Sequence, residues 1–77
     1  MRLRETAEEA VERALLLASD TMRLHGVRAV ACDKATENVF DKQSKEWIRL
    51  VHFSHPSTGL VITVNTDTAE VTVKQPK

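Results

Sequence analysis

The hydrophobic period changes once along this chain, and that change dictates what it can fold into. Between residues 5 and 25, "ETAEEAVERALLLASDTMRLH", apolar side chains recur at Ala7, Val11, Ala14, Leu15, Ala18 and Met22, the spacing that lines one face of a helix. From Trp47 to Val73 they alternate instead, and alternation puts every second side chain on one face of a strand. A helical stripe followed by alternating runs predicts an α+β fold in a single domain over residues 1–77. One long N-terminal helix packs on a three- or four-stranded antiparallel β-meander.

Local signals bound these elements. Thr6 and Glu9 form the S/T-x-x-E capping pattern, Leu3 is placed to act as a hydrophobic staple, and Gly26 supplies a left-handed stop. Glu5, Glu8 and Glu9 near the start, with Arg23 and His25 near the end, suit the helix dipole. Strands are expected at about 27–32, 46–54, 60–65 and 70–74, with "HPSTG" and "NTDTA" as connections. The stretch 33–44 has only Val39 and Phe40 as large apolar residues. It fits an extended segment ending in a polar turn at Asp41 to Ser44, the preferred reading, or a short helix capped by Asp33.

Strand parity then sorts the faces. Opposing Val64 to Val71 also opposes Ile62 to Val73, so these side chains share the face that meets the helix. In "WIRLVHF", pairing Phe53 with Leu60 puts Trp47, Val51 and Phe53 in the core with Arg49 snorkelling outward; a one-residue slip buries Ile48, Leu50 and His52 instead. The first set offers more apolar area and is preferred. The far face then displays Ile48, Leu50, His52, Val61, Thr63, Thr72 and Lys74, to be covered either by the 27–44 segment or the C-terminal tail of this chain or by an intersubunit or partner interface. Leu16 and Leu17 widen the helix stripe into a second candidate contact.

A chain of 77 residues buries a thin core, and self-association as a homodimer is the expected supplement. Cys32 is the one cysteine, so neither an internal disulfide nor a thiolate zinc site is available. Eleven basic residues balance eleven acidic ones, leaving no net field toward nucleic acid or an anionic membrane. The absence of an apolar leader or spanning stretch gives a cytoplasmic expectation with no membrane partner. Neither a catalytic residue nor a cofactor is expected. His52 and His55, three apart on a strand, point to opposite faces, which argues against a metal site with His25 and Cys32. A Cys32, His52 and Asp33 arrangement lacks the helix N-terminus or Gly-rich loop that activates a thiol. Nucleic-acid binding would need exposed aromatics among basic residues, and Trp47 and Phe53 are expected in the core.

The segment "VNTDTAEV", 64–71, is polar between apolar runs and reads as a turn in which Asn65 and Asp67 bond local backbone. Together with Trp47, its Val64, Asn65, Thr68, Glu70 and Val71 resemble the "V-D-x-x-T-G-E-V" hairpin of PepSY-like and immunity-protein-35-like small α+β modules, over roughly residues 45–74. Asn65 stands where Asp is usual and Ala69 where Gly is usual. A positive φ is costly for alanine, so a wider turn without a glycine-type bulge is expected. The resemblance implies a binding or inhibitory module. The functional expectation is a non-catalytic protein-binding module of inhibitor, immunity or phage-accessory type, acting through Ile48, Leu50, His52, Val61 and Thr63 or the Leu16 and Leu17 flank. The alternative is a small-ligand binder or enzyme with a pocket between helix and sheet near Cys32 and His52.

Overall fold

The computed structural model describes residues 6–76. Helix α1 (Ala7–Leu24) is followed by a short 3-10 turn (Ala29–Ala31) and strands β1 (Asp33–Asp41), β2 (Glu46–His55), β3 (Leu60–Asn65) and β4 (Glu70–Lys74). The strands form one antiparallel sheet in the order β1-β2-β3-β4, with α1 against one face. This is the α+β meander that the change of period predicts.

Helix α1 begins at the capping box: Glu9 N–H donates to Thr6 Oγ1 (3.1 Å), and Thr6 N–H donates to Glu9 Oε1 (2.9 Å). The Leu3 staple and Glu5 lie outside the described residues. At the other end Gly26, at φ +66°, reverses the chain so that Val27 N–H reaches the Met22 carbonyl at 2.9 Å. The buried stripe is Ala10, Ala14, Ala18 and Met22, flanked by half-buried Val11, Leu15 and Leu17. Ala10, absent from the expected stripe, heads it, while Ala7 is exposed.

Three successive alanines at the contact have no room for a larger group: Ala10, Ala14 and Ala18 are all fully buried. The small seam lets the helix backbone lie close to the sheet, where Val51, Phe53, Leu60, Ile62 and Val64 fill the layer from below. Ala14→Leu should therefore overpack the layer and lower folding stability by about 1–3 kcal/mol, read from urea unfolding.

The structure differs from the sequence expectation in three places. Phe53 pairs with Ile62, and Leu60 pairs with His55, a shift of two residues that leaves the face assignment intact because parity is preserved. Val64 faces Val71 and Ile62 faces Val73 as expected. The second difference is the strand expected at 27–32. Those residues form the 3-10 turn and its flanks, and β1 occupies 33–41, the stretch preferred as extended. Val27, bonded to Met22, and Cys32, bonded to Ala29, are both buried in the helix-side core, which holds this segment in a turn and delays pairing until Asp33.

The third difference is Trp47, expected in the core and found 69% exposed. It does point to the helix side of the sheet. However, β2 residues 46–49 pair with β1 alone, because pairing with β3 begins only at Leu50. The β1–β2 hairpin thus projects past β3 as a two-stranded ribbon, and Trp47 packs edge-on against Phe40 with ring centroids 5.4 Å apart. Arg49, beside them, donates from Nε to Asn38 Oδ1 at 3.3 Å.

All three hairpins close in the same way. Each loop has four residues, 42–45, 56–59 and 66–69, and its last N–H returns to the final strand residue: Lys45 to the Asp41 carbonyl (2.7 Å), Gly59 to His55 (2.7 Å) and Ala69 to Asn65 (2.8 Å). The closing residue has positive φ each time, +60°, +77° and +66°. Asp41 Oδ1 accepts from Gln43 N–H, and Asn65 Oδ1 accepts from Asp67 and Thr68 N–H, fixing the loop from its first corner. The wider turn expected at 66–69 is present without an extra residue in the ladder, but Ala69 does take the left-handed conformation. Loop closure outweighs the residue's own preference, which costs an L-residue about 1–2 kcal/mol. Ala69→Gly should accordingly raise stability by about 1 kcal/mol in thermal or urea unfolding. Gly59→Ala should lower it, since its Cβ would also meet Pro76 side-chain carbons at 3.2–3.3 Å.

Candidate functional site

The helix covers one face of the sheet; among the described residues, no second layer covers the other. Reading across the registers, that open face carries Val39 and Glu37 from β1, Ile48, Leu50 and His52 from β2, Val61 and Thr63 from β3, and Thr72 from β4. Val39, Ile48, Leu50 and Val61 are half-buried by their strand neighbours alone. They form an apolar strip that crosses the sheet diagonally.

Five of the residues expected at an interface, Ile48, Leu50, His52, Val61 and Thr63, are brought together on this face. Leu16 and Leu17 are not part of it, because α1 lies on the opposite side of the sheet. They also diverge from each other, as consecutive helical residues must. Leu17 packs against the core, whereas Leu16 points outward and is 79% exposed.

His52 sits at the centre of the strip with both ring nitrogens engaged. Its Nε2 lies 2.8 Å from Glu37 Oε1 and its Nδ1 lies 2.9 Å from Thr63 Oγ1. A carboxylate only accepts, so Nε2 carries a hydrogen, and in the neutral ring Nδ1 then accepts from the Thr63 hydroxyl. One residue from each of three strands is tied into a row, which fixes the imidazole at both ring nitrogens. Hydroxyl, imidazole and carboxylate also form the order of a nucleophile relay. Here, though, Thr63 lies in mid-strand, with β2 and β4 both paired to its backbone, so no cluster of free N–H groups is aimed at a developing oxyanion. As built, the row orders the face and supplies polar contacts within an apolar surface.

Cys32 lies elsewhere. Its thiol is buried with the helix-side core and directed at the Arg28 carbonyl, Sγ to O 3.5 Å, so the sheet separates it from His52. The two residues do not share a pocket. Burial pushes the Cys32 thiol above its ordinary pKa; the Lys34 ammonium opposes that rise and the Asp33 carboxylate adds to it. At neutral pH it is expected to react with a thiol reagent more slowly than a free cysteine, by absorbance-monitored disulfide exchange. Reaction much faster than that of free cysteine would mark it as activated.

His55 faces the helix side, where Nδ1 lies 3.0 Å from Thr58 Oγ1 in its own loop, so His52 and His55 do diverge as strand geometry requires. Among the described residues, no group of three or more His, Cys, Asp or Glu is arranged to hold a metal ion. Among the described residues, two shallow grooves lie beside α1, of about 500 and 400 Å3, one against Lys34 to Thr36 of β1 and one against Val27 and Ala29. Neither is lined by Cys32 or His52. No described helix is long and apolar enough to cross a membrane.

Two features of the surface escape the sequence reading. Val39 and Glu37 join the open face because β1 runs through 33–41, and the adjacent apolar pair Val39 and Phe40 was the signal available for a strand with something to offer on each face. The exposed Phe40 and Trp47 pair arises from the ribbon outrunning the helix, which has no local signature. Compared with known proteins, the chain matches no family model, no curated sequence and no solved structure.

Proposed function

We propose that this chain is a non-catalytic protein-binding module that acts through the open face of its sheet, occluding or bridging a protein partner as inhibitory, immunity or phage-accessory modules do. The observation that carries this reading is the strip of Val39, Ile48, Leu50 and Val61, uncovered by any described residue and surrounded by polar side chains. An apolar centre with a polar rim is the anatomy of a protein interface. The exposed Phe40 and Trp47 pair extends the apolar surface around the projecting ribbon, and aromatic residues of this kind anchor binding. The hairpin resemblance to PepSY-like and immunity-protein-35-like modules points the same way.

Affinity capture from the native extract tests it with three baits: the unaltered chain, Leu50→Asp and Leu16→Asp. A protein retained by the first and third and lost from the second supports binding through the open face. Equal retention by all three baits, or nothing retained by any, contradicts it.

A further inference from the structure

We infer that the occupant of the open face is a cationic polypeptide segment, and not a second copy of this chain; this rests on the binding role proposed for that face. Charges on the chain as a whole cancel, eleven against eleven, but strand parity does not distribute them evenly. Residues that share the face of His52 include Asp33, Glu37 and Asp41 on β1, Glu46 on β2 and Glu70 on β4, against the single base Lys74. Lys42 and Lys45 lie in the loop at the end of the ribbon, off the strand face. The carboxylates frame the apolar strip along β1 and at the end of β3–β4, where they remain close to water and are not neutralised by burial.

Two of these acids are already engaged within the chain. Asp41 accepts from its own loop, and Glu37 from His52. Asp33, Glu46 and Glu70 carry the acidic frame beyond these two. A two-fold dimer through this face would bring each copy's acidic frame against the same frame of its partner. Like-charge juxtaposition opposes that arrangement and favours a partner whose apolar residues are interspersed with lysine or arginine. The apolar strip supplies the contact, and the frame selects the sign of what makes it.

Titrating the isotope-labelled chain with a synthetic peptide of alternating lysine and leucine, and separately with one of alternating glutamate and leucine, tests this by amide chemical-shift mapping. The expected result is saturable shifts at Val39, Ile48, Leu50 and Val61 with the lysine peptide, at least about tenfold weaker with the glutamate peptide. Combining Asp33→Asn, Glu46→Gln and Glu70→Gln should weaken the lysine peptide about tenfold without altering the melting curve, and raised salt should weaken it further. Equal binding of both peptides at this face, or sedimentation showing a dimer whose interface maps to it, would overturn the charge inference while leaving the face a binding surface. If neither peptide shifts these amides and the chain sediments as a monomer, the binding role of the face falls with it.

Discussion

Phe53→Ala is expected to remove about 3–5 kcal/mol of folding stability, a large part of the roughly 5–15 kcal/mol that holds a small domain together. Phe53 is the largest fully buried side chain, at 0% exposure, and sits on β2 between Lys34 of β1 and Ile62 of β3. The layer above it is a row of alanines, which have no longer side chain to swing into the space that a missing ring would leave. A thin core therefore collapses poorly around the cavity. Guanidinium unfolding should show a much lower midpoint, or a chain already unfolded in water; Phe53→Leu, which refills most of the volume, should lose considerably less. A loss below about 1 kcal/mol for Phe53→Ala would mean that the ring lies outside the core.

What was legible in the sequence divides along physical lines. The helix and its start are local: Thr6 and Glu9 find each other three residues apart whatever the rest of the chain does. The partition of the sheet into two faces was also legible, because parity survives a register shift of two, and Val51, Phe53, Ile62 and Val64 are buried under a pairing different from the expected one. Strand β1 was only half legible. An edge strand with neither face deeply buried needs no alternation, and the apolar "VRAVA" before it is the more β-like stretch by composition. Trp47 lies outside the core because apolar area says how much a side chain gains from burial, not whether the helix reaches far enough to bury it. Ala69 shows the same limit at a turn: three loops of one length close by one geometry, and the closing residue adopts a positive φ whether it is Lys45, Gly59 or Ala69.

The candidate site was legible as a set of residues and not as a place. Ile48, Leu50, His52, Val61 and Thr63 follow from parity alone, whereas the contributions of Glu37 and Val39 required the position of β1. The row from Glu37 through His52 to Thr63 crosses three strands, with sequence separations of 15 and 11 between its members, at which sequence carries no pairing signal of its own. Cys32 and His52, the residues of the alternative pocket between helix and sheet, are divided by the sheet.

The second large effect concerns two neighbours. Val51 is fully buried beneath the helix, and an aspartate there would place a carboxylate among Phe53, Ile62 and Val64, with no hydrogen-bond donor arranged to receive it. A buried group without a partner costs several kcal/mol, so Val51→Asp should unfold the chain. Leu50, one residue earlier, points the other way and is only half-buried by its strand neighbours. Its replacement leaves the helix-side core untouched and should cost about 1 kcal/mol.

Circular dichroism with urea unfolding of Leu50→Asp and Val51→Asp side by side tests the central claim, that one face of this sheet is core and the other is surface free to bind. Leu50→Asp is expected to stay folded with a nearly unchanged spectrum while Val51→Asp is unfolded; Leu50→Asp unfolding as completely as Val51→Asp would mean that the open face is a core of its own.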